Sequence, residues 1–125
     1  ARPISVLAAG APTAVRCVAV GREEDVVVAA YDDSVWLYEL SRARAMHCLP
    51  CRGAKQVQIM ANGDVVVYCE TETSRDLYLY TITGRFVRRI AVAEAQRVTC
   101  LHAGGSELRP LLFVGAVDGS IACFN

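Results

Sequence analysis

The 125-residue sequence has no excess of either charge, since 13 Lys+Arg face 13 Asp+Glu. Without a basic surplus it lacks the electrostatic footprint of a nucleic-acid binder and the polybasic pull toward anionic membranes. Long apolar runs are missing too. The longest uncharged stretch, Pro3 to Val15, falls short of the roughly 18 residues of a spanning helix and is broken by proline and glycine. No direct membrane insertion is expected. An initiator Met and a charged segment leading into an apolar block are also absent, so no signal peptide is visible, and the chain reads as a piece of a longer one. No 3.6-residue stripe is sustained anywhere, and Ala91 to Gln96, the best helical candidate, is too short. What the chain does have is apolar content, 54% of residues, enough for one compact domain with a core.

The second positive feature is an internal repeat. Val15-Arg16-Cys17-Val18 recurs as Val57-Gln58-Ile59-Met60 after 42 residues and as Val98-Thr99-Cys100-Leu101 after 41 more. Asp25-Val26-Val27-Val28 reappears unchanged as Asp64-Val65-Val66-Val67, and Val26–Glu39 aligns without a gap on Leu112–Asn125. The runs VVVAAY, VVVYCE and LLFVGAV are β-branched and of strand length. Asp32-Asp33, Asn62-Gly63 and Asp118-Gly119 supply turn residues between such runs. The chain therefore reads as all-β.

Each unit divides into strands a to d. The first comprises Val15–Val20, Val26–Tyr31, Val35–Leu40 and Ala45–Leu49; the second Val57–Ala61, Val65–Cys69, Leu77–Ile82 and Phe86–Val92. The third gives Val98–His102, Leu111–Val117 and Ile121–Phe124 and lacks its outer strand, while Ile4–Ala8 reads as the outer strand of a preceding unit. A four-stranded unit every 40 to 45 residues has the period of a β-propeller blade. The expected fold is a partial β-propeller of about three four-stranded antiparallel WD40-like blades. It forms a single fragment, with blades at about 14–50, 56–93 and 97–125.

Asp118-Gly119-Ser120-Ile121 and Asp32-Asp33-Ser34-Val35 resemble the turn-and-strand signature of WD-repeat blades, and the Trp position of that signature is aromatic throughout, as Tyr38, Tyr80 and Phe124. The Asp that follows it is replaced by Glu39, Thr81 and Asn125, and the Gly-His signature is absent, so the full WD hydrogen-bond network is not assembled. Over about residues 44–125, the segments ANGDVVVYCE, DLYLYTITGRFVRRI and VGAVDGSIACFN are similar to the C-terminal propeller of BEACH-domain proteins. That resemblance implies a large scaffolding protein of vesicle and membrane trafficking, cytoplasmic and peripheral to membranes through the parent protein.

Candidate chemistry is sparse. Cys17, Cys100, Cys123 and Cys69 read as small apolar core residues, and no disulfide framework is expected without a secretory signal. His47-Cys48-Leu49-Pro50-Cys51 is sharper, because Cys48 and Cys51 have the spacing of a zinc-ligand or redox pair. No second pair completes a zinc site, however, and the βαβ setting of a thioredoxin motif is missing. Ser34 and Ser120 read as turn residues, Glu23, Glu24 and Asp25 as a solvated loop, and Gly104-Gly105-Ser106 lacks the lysine of a phosphate loop. No Gly-x-Ser-x-Gly motif occurs, and no cofactor is expected. Arg85, Arg88 and Arg89 bracket an outer strand, where charge discourages edge pairing or serves a partner-docking patch that Arg42 and Arg44 would extend. Trp36, Tyr31 and Tyr78 read as inter-blade packing.

The expectation is a non-enzymatic protein–protein interaction scaffold with protein partners and no nucleic acid, self-associating to complete the ring. The alternatives are a blade set of another WD-like scaffold, such as a coat or ubiquitin-adaptor subunit, and a thiol redox or zinc module on Cys48 and Cys51.

Overall fold

The computed structural model describes residues 13–21 and 23–125; the strand expected at Ile4–Ala8 lies outside them. Eleven strands follow in chain order: β1 (Cys17–Gly21), β2 (Val26–Ala30), β3 (Val35–Glu39), β4 (Arg44–Leu49), β5 (Ala54–Ile59), β6 (Val65–Glu70), β7 (Arg75–Tyr80), β8 (Phe86–Ala91), β9 (Val98–Gly105), β10 (Pro110–Ala116) and β11 (Ile121–Phe124). Among the described residues a single 3₁₀ turn, Glu94–Gln96, falls in the segment that is too short for a helix. Three antiparallel meanders result, β1-β2-β3-β4, β5-β6-β7-β8 and β9-β10-β11.

The central strands explain why the sheets stack. In β2 and β6 both faces are apolar, so each sheet must bury two sides rather than one. Val26, Val28, Val35, Leu37 and Leu49 of the first sheet pack with Ala54, Val57, Val65, Val67 and Tyr80 of the second. The opposite face of the second sheet, through Met60, Val66, Tyr68 and Leu77, packs with Val98, Leu101, Leu112 and Val114 of the third. Tyr68 is fully buried, and its hydroxyl donates to Glu70 Oε2 at 2.9 Å, which satisfies the one polar atom it brings inside.

The sheets approach one another through their leading strands, β1 with β5, β2 with β5 and β5 with β9. The trailing strands β4 and β8 are largely exposed. Sheets that converge at one edge and splay at the other are blades about an axis, and the fold is a partial β-propeller.

The repeat is real, but its register differs from the gapless alignment. Val26 faces the following sheet, whereas Val65 and Leu112, which match it by sequence, face the preceding one. In the structure, strand b of the later units is slipped by one residue, which sends each side chain to the other face. The third unit absorbs the slip in its turn, where Gly115↔Ile121 encloses residues 116–120 while Ala30↔Val35 encloses only 31–34. Strand c stays in phase, so Tyr80 and Phe124 both face the preceding sheet, and Tyr38 sits on the matching face of the first.

Candidate functional site

The thiol motif does not act as a unit. Cys48 pairs across from Trp36 near the end of β4 and is exposed. Pro50 then turns the chain, with the Cys51 amide donating to the Leu49 carbonyl at 2.8 Å, a three-residue turn that the fixed φ of proline favours. The turn drives Cys51 into the core between the first two sheets, where it is 3% exposed. His47 lies beside Gly84 in the β7–β8 turn. Among the described residues no group of three or more His, Cys, Asp or Glu is placed to hold a metal.

Cys51 meets a different thiol. Cys69, from the end of β6 and 5% exposed, lines the same pocket in the same core, and the Cys51 thiol donates to the Tyr80 hydroxyl at 3.5 Å. These groups form the floor of a pocket of about 290 Å³ whose rim is Pro50, Arg52, Thr71 and Ser74. The Cys69 and Tyr80 donors hold the Cys51 thiol below the usual thiol range, against the opposing effect of burial. The same contact, with burial, pushes Cys69 up. Cys48 is also pushed up, first by desolvation and then by the Asp33 carboxylate.

Beside this pocket lies the single buried charge among the described residues. Asp76, 4% exposed, accepts from Arg89 Nε at 2.8 Å, and the Tyr78 hydroxyl lies 3.5 Å from its other oxygen. Asp76 and Arg89 lie on one face of the β7–β8 hairpin, diagonal neighbours across the register Tyr78↔Arg89. The three arginines therefore divide. Arg89 serves this ion pair, whereas Arg85 and Arg88 are exposed, and Arg88 points to the third-sheet side over Leu79, Ile90 and Phe124.

The carboxylates at the β1–β2 turn have a structural task. Asp25 adopts a left-handed φ of 58° and accepts from the Ser41 amide at 2.9 Å and from its hydroxyl, tying that turn to the β3–β4 turn. Asp118 does the same locally, accepting from the Ser120 amide at 2.9 Å and from its hydroxyl at 2.6 Å. Its carboxyl is held below the usual range by these bonds. Ser34 donates to Asp33 at 3.2 Å.

Cys100 and Cys123 are exposed, contrary to the core placement expected for them, whereas Cys17 is half-buried and packs against the core between the first two sheets. Cys100 and Cys123 sit on the face of the third sheet turned away from the second, with Phe113, 37% exposed, and Ile121, 79% exposed. Tyr78 packs between sheets as expected. Tyr31 and Trp36 instead join Val27, Ala29 and Tyr38 on the face of the first sheet turned away from the second. The Tyr31 and Tyr38 hydroxyls lie 3.2 Å apart, and burial together with that contact pushes Tyr38 up to about 12.

No family model matches the chain, and no curated protein matches it by sequence. Solved structures do. Sqt1 of Saccharomyces cerevisiae superimposes with a TM-score of 0.66 at 12% identity over 89% of this chain and 30% of its own. Hydrazine synthase of Kuenenia stuttgartiensis gives 0.67 at 14% identity over 87% and 33%, and Hsv2 of Kluyveromyces lactis 0.64 at 11% over 90% and 33%. This chain thus spans about a third of the length of these structures. At such identity the likeness concerns fold alone, and one of the three is named as an enzyme, so activity does not travel with it. The comparisons and the splayed sheets agree that the chain is a set of β-propeller blades.

Proposed function

We propose that this chain is a non-enzymatic protein-interaction scaffold, a blade set within a larger propeller. The observation that carries it is the double core. Two apolar layers hold three sheets face to face, so the connecting turns are displayed on a frame that needs little ordering when a partner docks. The finer assignment is a BEACH and WD-repeat parent of vesicle and membrane trafficking, cytoplasmic and peripheral to membranes through that parent. It is supported by the similarity of the segments that build β6 to β8 and β10 to β11. Self-association is part of this reading, because β11 is an unpaired edge among the described strands and the third sheet leaves an apolar face open.

Arg85 and Arg88 are the proposed partner-binding cations, while Arg89, on the opposite face of β8 from Arg88, is engaged in its ion pair with Asp76. The test is quantitative recovery of protein partners by the parent protein with Arg85→Glu and Arg88→Glu. Charge reversal at an exposed docking patch lowers recovery about tenfold at low salt and leaves the thermal unfolding midpoint within a degree or so. Unchanged recovery would move binding away from the β8 edge.

A further inference from the structure

The Cys51–Cys69 contact has no part in the scaffold reading. Both side chains are in the core, yet they are not packed solely against hydrocarbon. They belong to one core cluster, Cys51 donates to a hydroxyl, and both border a single pocket open past four exposed residues. Cys69 is on a central strand, and Cys51 is on the connection that carries the chain from the first sheet to the second. The connection is anchored there by the Gly53 amide donating to Asp32 at 2.8 Å and by the Glu70 amide donating to Gly53 at 2.9 Å. The two cysteines are therefore brought together by fixed backbone, and a bond between them would join the inter-blade connection to the second blade.

We propose that Cys51 and Cys69 form a reversible dithiol–disulfide site, with Cys51 attacking and Cys69 resolving, whose oxidant is a low-molecular-weight disulfide carrying a carboxylate. Arg52 at the rim supplies the cation that such a molecule would meet. In the first step the Cys51 thiolate attacks one sulfur of the small disulfide. Its S–S bond breaks, and the departing thiolate takes the electron pair and a proton from solvent. In the second step Cys69 loses its proton to solvent and its thiolate attacks Cys51 Sγ. The bond between Cys51 and the small thiol breaks, and the second small thiolate leaves with the electron pair and takes a proton from solvent. Two protein thiols are oxidised, and one small disulfide is reduced to two thiols. In the neutral state the Cys51 thiol donates to Tyr80; once ionised, it accepts from Tyr80 and Cys69 instead, which is the direction in which its acidity is shifted. The Cys51 thiol and burial, with Asp76 adding to them, oppose ionisation of Cys69, which leaves Cys51 as the first of the two to attack.

The test uses the full chain with exposed Cys48 replaced, Cys48→Ser, so that tryptic fragment 45–52 carries Cys51 alone. The protein is equilibrated with glutathione disulfide and glutathione at neutral pH, quenched in acid, digested and weighed. The expected result is fragment 45–52 joined to fragment 56–75 with loss of both thiol hydrogens, reversed by excess glutathione. Adding Cys69→Ala stops the reaction at a glutathione adduct on Cys51. With Cys51→Ala instead, Cys69 reacts at least about tenfold more slowly than Cys51 does in the parent protein. Absence of the joined fragments across the redox range, in protein whose circular dichroism is native, overturns the proposal, as does equal reactivity of Cys69 without Cys51. If either alanine variant fails to fold, the joined-fragment measurement on the Cys48→Ser protein decides alone. None of these outcomes depends on partner binding, so failure here leaves the scaffold reading standing.

Discussion

Asp76 shows how a single residue is tolerated where the sequence pattern argues against it. A carboxylate in a core strand is costly unless paired, and the Arg89 guanidinium at 2.8 Å makes the pairing. The Arg89 side chain is 57% exposed, so the full penalty of a buried orphan is softened by water reaching the site. Arg89→Met is expected to cost about 2 kcal/mol, because it leaves the Asp76 charge buried without a cation. Arg88→Met, on the other face of the same strand, is expected to stay within about 0.5 kcal/mol. Urea unfolding of the two variants checks the contrast, and equal effects would mean that Arg89 is a surface cation like its neighbour. The pair is hard to read in the sequence because its members are thirteen positions apart. The turn at Thr83-Gly84 was the available signal, since a hairpin closed there brings residues 76 and 89 to one face.

At the scale of elements, the connection between the first and second sheets is set by glycine as much as by hydrophobic strands. Gly53 has φ +71°, and a Cβ there would run into the Glu70 carbonyl, which belongs to backbone and cannot yield. Gly119 has φ +85° in open space. Gly119→Ala therefore meets only the left-handed penalty of about 1–2 kcal/mol, whereas Gly53→Ala adds a steric clash and is expected to exceed it by at least about 1 kcal/mol. Paired thermal melts measure this difference, and a Gly53 variant no worse than the Gly119 one would show that the connection can relax. Strand existence was legible in β-branched runs bounded by turn residues. Strand phase was not, because Val26-Val27-Val28 and Val65-Val66-Val67 are buried on both faces and a one-residue slip costs them little. Arg75 and Asp76 precede the strand expected at Leu77–Ile82 yet start β7, where Asp76 is paired with Arg89 at 2.8 Å.

For the whole molecule, the decisive feature is that each middle face is covered while the third sheet leaves one uncovered. Ile121 and Phe113 on that sheet occupy the side that, in the first two sheets, is buried by the next sheet. If copies complete one another, light scattering shows a mass that grows with protein concentration, and Ile121→Asp returns it to one chain without altering the melt measured on dilute protein. A strictly single-chain mass for the well-folded unsubstituted protein would discard self-completion. The stacking also decides the fate of the cysteines. Cys100 and Cys17 share a repeat position, yet exposure follows the blade's place in the stack, and Cys100 is on the open side.

The chain by itself determined its all-β character, its three units and the positions of most turns, because these follow from residue type and short spacing, which act within a hairpin. It also carried the Cys48 and Cys51 spacing, but spacing along a chain does not state which face a side chain takes after a bend. The tertiary structure decided that Cys51 turns inward at Pro50 into the core that holds Cys69, that Arg89 finds Asp76, and that repeated valines face opposite neighbours. Each of these depends on how sheets pack, a contact between segments far apart in sequence, where small differences of register reverse the outcome.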